Sequence, residues 1–284
     1  MPELPEVEYV ARQLREALVG ARIMRVEVFW PRAVSQVTPE ELAARLADRR
    51  VLAVGRRAKY LVLTLDNGES LVIHRRMSGN LRLVRADEAA PYTRVAFTLS
   101  NGRRLLFTDP RKFGRVTIVS PDELPTLFHR LGPEPLDSEF TSDVLAERLA
   151  GHRRAIKTTL LDQSVVAGLG NIYADEALFR AGIHPLRSAA SLTPDEIAAL
   201  HAGIQGALQT GIAHGGTTFG RHRGLYDEAG GNLEHVEVYR RTGQPCLRCG
   251  TPIIRIRVAQ RSAHFCPHCQ PAPAAADVSE TSAS

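Results

Sequence analysis

Val51–His74, VLAVGRRAKYLVLTLDNGESLVIH, decides how the first half of this chain folds. Apolar and polar side chains alternate on both sides of Asp66-Asn67-Gly68, and Asn-Gly supplies the positive φ angles that a tight hairpin turn demands. The pattern recurs in Arg94–Asp109, RVAFTLSNGRRLLFTD, around Ser100-Asn101-Gly102. Hairpins of this kind predict an antiparallel sandwich or barrel, and the β pattern extends from Ala21 to about Val119.

Upstream of the β region lies MPELPEVEYVARQLREALVG, in which Val7, Val10, Ala11, Leu14, Ala17 and Leu18 recur at helical spacing. Pro5 suits the first turn and Gly20 the stop. Removal of Met1 is expected, because the second residue is proline, and would leave Pro2 with a secondary amine. An α-amino group titrates near pH 7.7 to 8.0 against about 10.4 for lysine, so its nucleophilic form is roughly several hundred times more populated at neutrality. Glu3 and Glu6 fall three residues apart at the positive end of the helix, where capping alone could explain them.

Downstream, SPDELPTLFHRLGPEPLD predicts a short helix and a Pro-rich linker, with a domain boundary near Pro133. TSDVLAERLAG, RRAIKTTLLDQ, NIYADEALFRAG and TPDEIAALHAGIQGALQTG then have helical spacing. Between the second and third of these, SVVAGLGN is too rich in glycine for helix. His214–His235 is Gly-rich and expected to be mobile. The tail from Pro271 to Ser284 lacks core-forming residues and is expected to be disordered. The fold class is therefore α+β.

The chain has 284 residues and a formal net charge of +5, which favours an acidic partner, nucleic acid before membrane, although solubility alone could explain so small an excess. No long apolar run or basic-then-apolar leader predicts a membrane span or signal peptide, and the cytoplasm is the default location. The only lysines are Lys59, Lys112 and Lys157 in a chain otherwise using arginine. A retained lysine suits a site needing a compact, titratable amine, while codon bias remains the alternative.

All four cysteines lie in CLRCGTPIIRIRVAQRSAHFCPHC, two C-x2-C pairs separated by sixteen residues. Four thiolates so spaced predict one structural Zn²⁺ held by Cys246, Cys249, Cys266 and Cys269, with no coordination position left for water. His264 and His268 are then packing or surface residues. Ile254, Ile256 and Val258 alternate with Arg255 and Arg257, predicting a zinc-stapled β-hairpin with Arg261 near its tip. Such a finger could grip nucleic acid or mediate protein contacts.

PELPEVE, RRAKYL, MSG, TDPRKFG, LGPEPL, GLGNIYADEALFRAGIHP and the four-cysteine finger occur here in one order, from Pro2 to about Gln270. Together they resemble the formamidopyrimidine-DNA glycosylase family, bacterial base-excision enzymes that remove oxidised purines. The resemblance implies an N-terminal helix and β-sandwich catalytic domain (1–133), a helix-two-turn-helix domain (134–235), a zinc finger (236–270) and a tail (271–284). It also implies a monomer working in the bacterial cytoplasm and nucleoid on double-stranded DNA carrying 8-oxoguanine, formamidopyrimidines or abasic sites, with glycosylase and AP lyase activities.

By the same resemblance Pro2 attacks C1′ of the damaged nucleotide, Glu3 protonates the sugar ring oxygen, and Glu6 supports the site. Lys59 contacts phosphate or base and assists elimination, and Arg261 grips phosphates flanking the lesion. Met77, Arg111 and Phe113 match a trio that fills the gap left by an extruded nucleotide, although Met77 and Phe113 could equally be core residues. Lys157 and Asn171, with the GLGN turn, suggest a phosphate clamp, and Arg153 is a further candidate DNA contact. The loop around Thr217, Thr218 and Phe219 matches a region that closes over the base. Tyr92 replaces a histidine of some relatives and inherits no role, while Arg75 and Arg76 add charge that either strengthens phosphate contact or is solvated surface, the second being the expected reading. The rival readings are an endonuclease VIII type enzyme for oxidised pyrimidines and a zinc-dependent DNA-binding protein without catalysis.

Overall fold

The computed structural model describes residues 1–218 and 223–272. The chain forms two compact units, Met1–His129 with Gly211–Leu233, and Arg130–Thr210 with the chain from Glu234 onward.

The first unit opens with α1 (Leu4–Leu18), whose Leu4, Val7, Val10, Ala11, Leu14 and Leu18 are buried on one face. The strands are β1 (Arg22–Val28), β2 (Arg49–Arg57), β3 (Tyr60–Leu65), β4 (Ser70–His74), β5 (Asn80–Arg85), β6 (Thr93–Leu99), β7 (Arg103–Thr108) and β8 (Arg115–Val119). Their order is β5-β7-β6-β1-β2-β3-β4-β8, with antiparallel ladders throughout. β1 and β2 meet only at Arg22↔Arg50 and Ile23↔Arg49, so the order divides there into two four-stranded layers of a sandwich. Leu61, Leu63 and Leu65 from one layer and Leu81, Leu83, Phe97 and Phe107 from the other share one core with α1. The hairpin turns fall where the sequence puts them, with Gly68 at φ +84 and Gly102 at φ +75.

The β reading missed α2 (Pro39–Leu46), inserted between β1 and β2. Its start is nonetheless explicit: Thr38 caps it, accepting the Glu41 N–H at 3.1 Å, Pro39 opens the first turn, and Leu42 and Leu46 are buried. A short helix, α3 (Glu123–Phe128), follows β8.

The second unit contains α4 (Ser142–Leu149), α5 (Ile156–Leu160), α6 (Asn171–Ala181) and most of α7 (Pro194–Ala213). It ends in the predicted hairpin, β9 (Ile254–Val258) with β10 (Arg261–Phe265), Arg261 pairing with Val258 beside the turn. The cysteine segment is not a separate body: Cys246, Ile253 and Cys266 share a small core with Phe179 and Val238.

The domain reading differs in one further respect, because Gly211–Leu233 joins the first unit. Leu225 is buried in the sandwich core, its carbonyl accepts the Leu83 N–H at 3.0 Å, and its N–H donates to Gln13 Oε1 at 2.8 Å. Apolar spacing could not reveal this, since one leucine in a polar Gly-rich stretch supplies the anchor. Residues 219–222 and the tail from 273 lie outside the described residues.

Candidate active site and metal centre

Pro2, Glu3 and Glu6 are all buried where α1 begins. Glu3 and Glu6 form a capping box, with the Glu3 N–H donating to Glu6 Oε2 at 2.7 Å. The other oxygen of Glu6 accepts the Thr217 N–H at 2.8 Å. Glu6 thus spans from the residue next to Pro2 to the Gly-rich segment, each oxygen already engaged. The close approach requires glycine at 216, where φ is +78 and an added Cβ would lie 2.9 Å from Glu6 Cγ. Asn232 fastens the same segment, its Nδ2 donating to Thr217 Oγ1 at 2.8 Å.

Helix α1 docks on β2 and β3. Arg15 Nε donates to the Val54 carbonyl at 3.0 Å, and Arg56 pairs with Glu8 at 3.3 Å. The turn joining those strands carries Ala58 at φ +51 and then Lys59, which is buried. Next to it His74 closes β4 with its ring against Tyr60, centroids 4.4 Å apart. Burial first, then the charges of Arg76 and Lys59, push the His74 imidazole down to about 3. The neutral ring accepts the Arg76 N–H on Nδ1 at 3.0 Å, which fits Arg76 into its φ of +51.

Beyond that turn, Met77 and Phe113 line one open cavity of about 320 Å³ together with Arg76 and Arg115. Met77 is 39% and Phe113 47% exposed, so neither is a core residue. The Arg111 guanidinium lies 5.0 Å from the centre of the Phe113 ring. Fully buried Asp109 organises all three, accepting the Ser78 hydroxyl, the Arg111 N–H at 3.1 Å and the Gly114 N–H at 2.7 Å. Its own carbonyl is held by Arg94 Nε at 2.8 Å. Lys112 lies over the Trp30 ring, 4.1 Å from its centre. Tyr92 is exposed at φ +61, with Arg94 over its ring.

In the second unit the GLGN turn does open α6, with Gly170 at the cap. Lys157 is fully buried: its ammonium pairs with Asp175 and donates to the carbonyls of Asn171 at 3.4 Å and Ser262 at 3.1 Å. Asn171 Nδ2 adds a second donor to the Ser262 carbonyl at 3.0 Å. Asp175 also accepts the His264 N–H and ring Nδ1, each at 3.0 Å. Residues 262 and 264 belong to the hairpin strand that starts at Arg261, so α5 and α6 buttress that strand from beneath. Arg153 and Arg261 are exposed. Glu176 is buried and accepts three successive N–H groups, from Glu237, Val238 and Tyr239, at 2.7 to 3.0 Å. Burial nevertheless pushes its carboxyl up to about 7, against the pull of those donors.

The sulfurs of Cys246, Cys249, Cys266 and Cys269 all lie within 4.8 Å of one another. Cys249 is 3.5 Å from both Cys266 and Cys269, and Cys246 is 3.9 Å from Cys269. Zn–S bonds of about 2.3 Å in a tetrahedron give edges of about 3.8 Å, so the donor set fits one structural zinc. Burial and the neighbouring sulfurs push the Cys269 thiol up to about 12, a penalty that a bound divalent cation reverses.

Comparison with known proteins finds matches in both units. Residues 1–116 match the formamidopyrimidine-DNA glycosylase N-terminal domain, 131–222 its H2TH domain, and 243–272 the zinc finger found in FPG and IleRS. The chain is 53% identical to a formamidopyrimidine-DNA glycosylase of Herpetosiphon aurantiacus, over 95% of its own length and all of the relative. The chain belongs to the formamidopyrimidine-DNA glycosylase family. Another member, from Roseiflexus, is 50% identical over 95% of this chain and all of its own. Among solved structures, a Lactococcus lactis Fpg complex with DNA containing an abasic site superposes with a TM-score of 0.90 at 36% identity, covering 95% of this chain and 100% of that one. MutM bound to DNA containing carbocyclic 8-oxo-G superposes at 0.89 with 37% identity and the same coverage.

Set against the residues expected from the family resemblance, the first unit groups Pro2, Glu3 and Glu6 at one helix start, and Met77 and Phe113 around one cavity, with Arg111 against the Phe113 ring. Lys157 differs from the phosphate clamp, since its charge is enclosed and spent on Asp175 and two carbonyls. Arg75 differs from solvated surface, since it is 1% exposed. Arg76 is exposed as expected, and Phe219 lies outside the described residues. Sequence motifs do not single out Asp109, Ser78, Asp175 or Glu176. Only Asp109 had a local signal, an Asp-Pro turn opening in TDPRKFG.

Proposed function

We propose that this chain is a bifunctional base-excision enzyme, a DNA glycosylase and AP lyase that removes oxidised purines, 8-oxoguanine and formamidopyrimidines, from duplex DNA. The observation that carries the reading is the buried proline at position 2, next to a glutamate whose backbone is fixed by a second glutamate of the same helix turn. Once Met1 is removed, the Pro2 nitrogen attacks C1′ of the damaged nucleotide as the base departs. A secondary amine gives an iminium without an N–H to lose, so the adduct remains cationic and draws electrons from the sugar during β- and δ-elimination.

Glu3 protonates the sugar ring oxygen, a task of a positioned general acid. Glu6 supports the site by holding Glu3 and Thr217. Lys59 meets phosphate or base as strand elimination proceeds, and Arg261, at the finger hairpin, binds phosphates beside the lesion. Lys157 and Asn171 act through that hairpin by fixing the Ser262 carbonyl, while Arg153 contacts the backbone directly. Extruding a nucleotide costs a few kcal/mol of stacking and pairing. Met77 and Phe113 fill the gap and Arg111 pairs with the orphaned base. The zinc supplies structure and no chemistry. The enzyme acts as a monomer in the bacterial cytoplasm and nucleoid.

Borohydride reduction during incubation with lesion-containing duplex tests the reading. The expected result is a covalent protein–DNA complex mapping to Pro2 and diminished in Pro2→Gly, whose terminal primary amine can still form an imine. An undiminished complex in Pro2→Gly, or none with active enzyme, refutes the assignment of the nucleophile. Faster cleavage of thymine glycol than of 8-oxoguanine would move the substrate to oxidised pyrimidines.

A further inference from the structure

Arg75 has no task in the chemistry above, yet it is among the largest fully buried side chains of the described residues. Its donors reach three separate pieces of the first unit. Nε donates to the Gly79 carbonyl at 3.0 Å, within the turn that carries Met77. Nη1 donates to the Glu6 carbonyl at 3.3 Å, in the first turn of α1. Nη2 donates to Asn80 Oδ1 at 2.6 Å and to the Arg223 carbonyl at 3.2 Å.

These acceptors are themselves fixed. The Gly79 N–H closes the turn on the Arg75 carbonyl at 2.8 Å, and an added Cβ at Gly79 would lie only 2.4 Å from that oxygen. Glu6 ties the Thr217 side of the Gly-rich segment through Oε1, and its backbone is held through Arg75, which also ties the Arg223 side. A buried charge is costly unless fully paired, and only a planar fork of five N–H donors can serve four acceptors pointing from three directions. Lysine, a point charge on a flexible stem, cannot reproduce it. An apolar residue would remove all four of these hydrogen bonds.

We propose that Arg75 is a positioning residue of the glycosylase reaction: its guanidinium locks the turn bearing Met77 to the helix start bearing Pro2, Glu3 and Glu6, so that gap filling and attack on the sugar share one register. The inference rests on the function proposed above.

The test compares wild type, Arg75→Lys and Arg75→Leu, each checked by thermal unfolding and zinc content, in single-turnover reactions on two duplexes. One carries 8-oxoguanine opposite cytosine and requires extrusion of a stacked, paired base. The other carries a preformed abasic site with no base to extrude. Helix α1 keeps its own seat through its buried face and the Arg15–Val54 bond, so the Met77 turn is what loss of Arg75 releases. A misplacement of about 1 Å can cost roughly 100-fold in rate, so excision should fall about 10- to 100-fold in folded variants while abasic-site cleavage changes by less than about threefold. Arg75→Lys, which keeps the charge, decides the matter if Arg75→Leu does not fold. Parallel loss of both activities in folded Arg75→Lys, or loss of neither, overturns the inference. A wild-type enzyme inactive on both duplexes brings down the proposed function and this inference with it, a result distinguishable from active wild type with unaffected variants.

Discussion

Glu3 and Glu6 look equivalent in the sequence, three residues apart at one helix end, and the fold gives them different work. Both oxygens of Glu6 accept backbone N–H groups from different segments, whereas the Glu3 side chain accepts the Glu6 N–H within its own helix turn, and Glu3 follows Pro2 directly in the chain. Replacing Glu6 by Gln turns an amide NH₂ toward one of those N–H groups, which costs about 1 to 3 kcal/mol for an unsatisfied buried donor. Glu6→Gln is therefore expected to lower the unfolding temperature of the first unit more than Glu3→Gln does. Glu3→Gln should instead lower base excision by about 10²- to 10⁴-fold, the usual worth of a general acid. Calorimetry and single-turnover assays on the two variants check the division. His74 gives a pH prediction of definite sign. Its folded pKa of about 3 lies below the ordinary 6.5, so the unfolded chain binds a proton that the folded one refuses. The stability is present above pH 6.5 and is lost as pH falls toward 3, by up to about 1.4 kcal/mol per pH unit from this one group. Urea unfolding between pH 7 and 5 should show a shallower decline in His74→Gln than in wild type.

At the scale of elements, the site is built from turns held by buried acids and one buried arginine. Asp109 joins the Met77 turn, through Ser78, to the loop from Arg111 to Gly114. Asp109→Asn presents an NH₂ to donors that need an acceptor, and is expected to destabilise the first unit by about 1 to 3 kcal/mol. It should also weaken binding to lesion duplex more than to unmodified duplex, which fluorescence anisotropy measures. Strands and most helices were legible because their signal is local: alternation around Asn-Gly turns, 3.6-residue spacing, and caps. Helix α2 was missed although Thr38-Pro39-Glu40-Glu41 spells out its start, because a two-turn helix buries only Leu42 and Leu46 and leaves little periodicity.

For the whole molecule, the cysteine segment and the two-unit division make the clearest forecast. Cys249→Ser, or stripping zinc with a chelator, should unfold the finger hairpin and abolish lesion-DNA binding while the unfolding transition of the sandwich unit persists. Two-wavelength thermal melts with zinc titration would show whether the transitions separate. Short-range periodicity, turn chemistry and ligand spacing sufficed for an antiparallel sandwich or barrel, a helical half and four zinc ligands, and the family resemblance chose the sandwich. Tertiary structure alone decided that Gly211–Leu233 belongs with the N-terminal half, that Arg75 is a buried tie, and that Lys157 faces Asp175 instead of solvent. A charged side chain has the same local signature on a surface as in a core. Partners distant along the chain, such as Asp175 for Lys157, the Arg223 carbonyl for Arg75 and Thr217 for Glu6, offset the cost of burial and so settle its role.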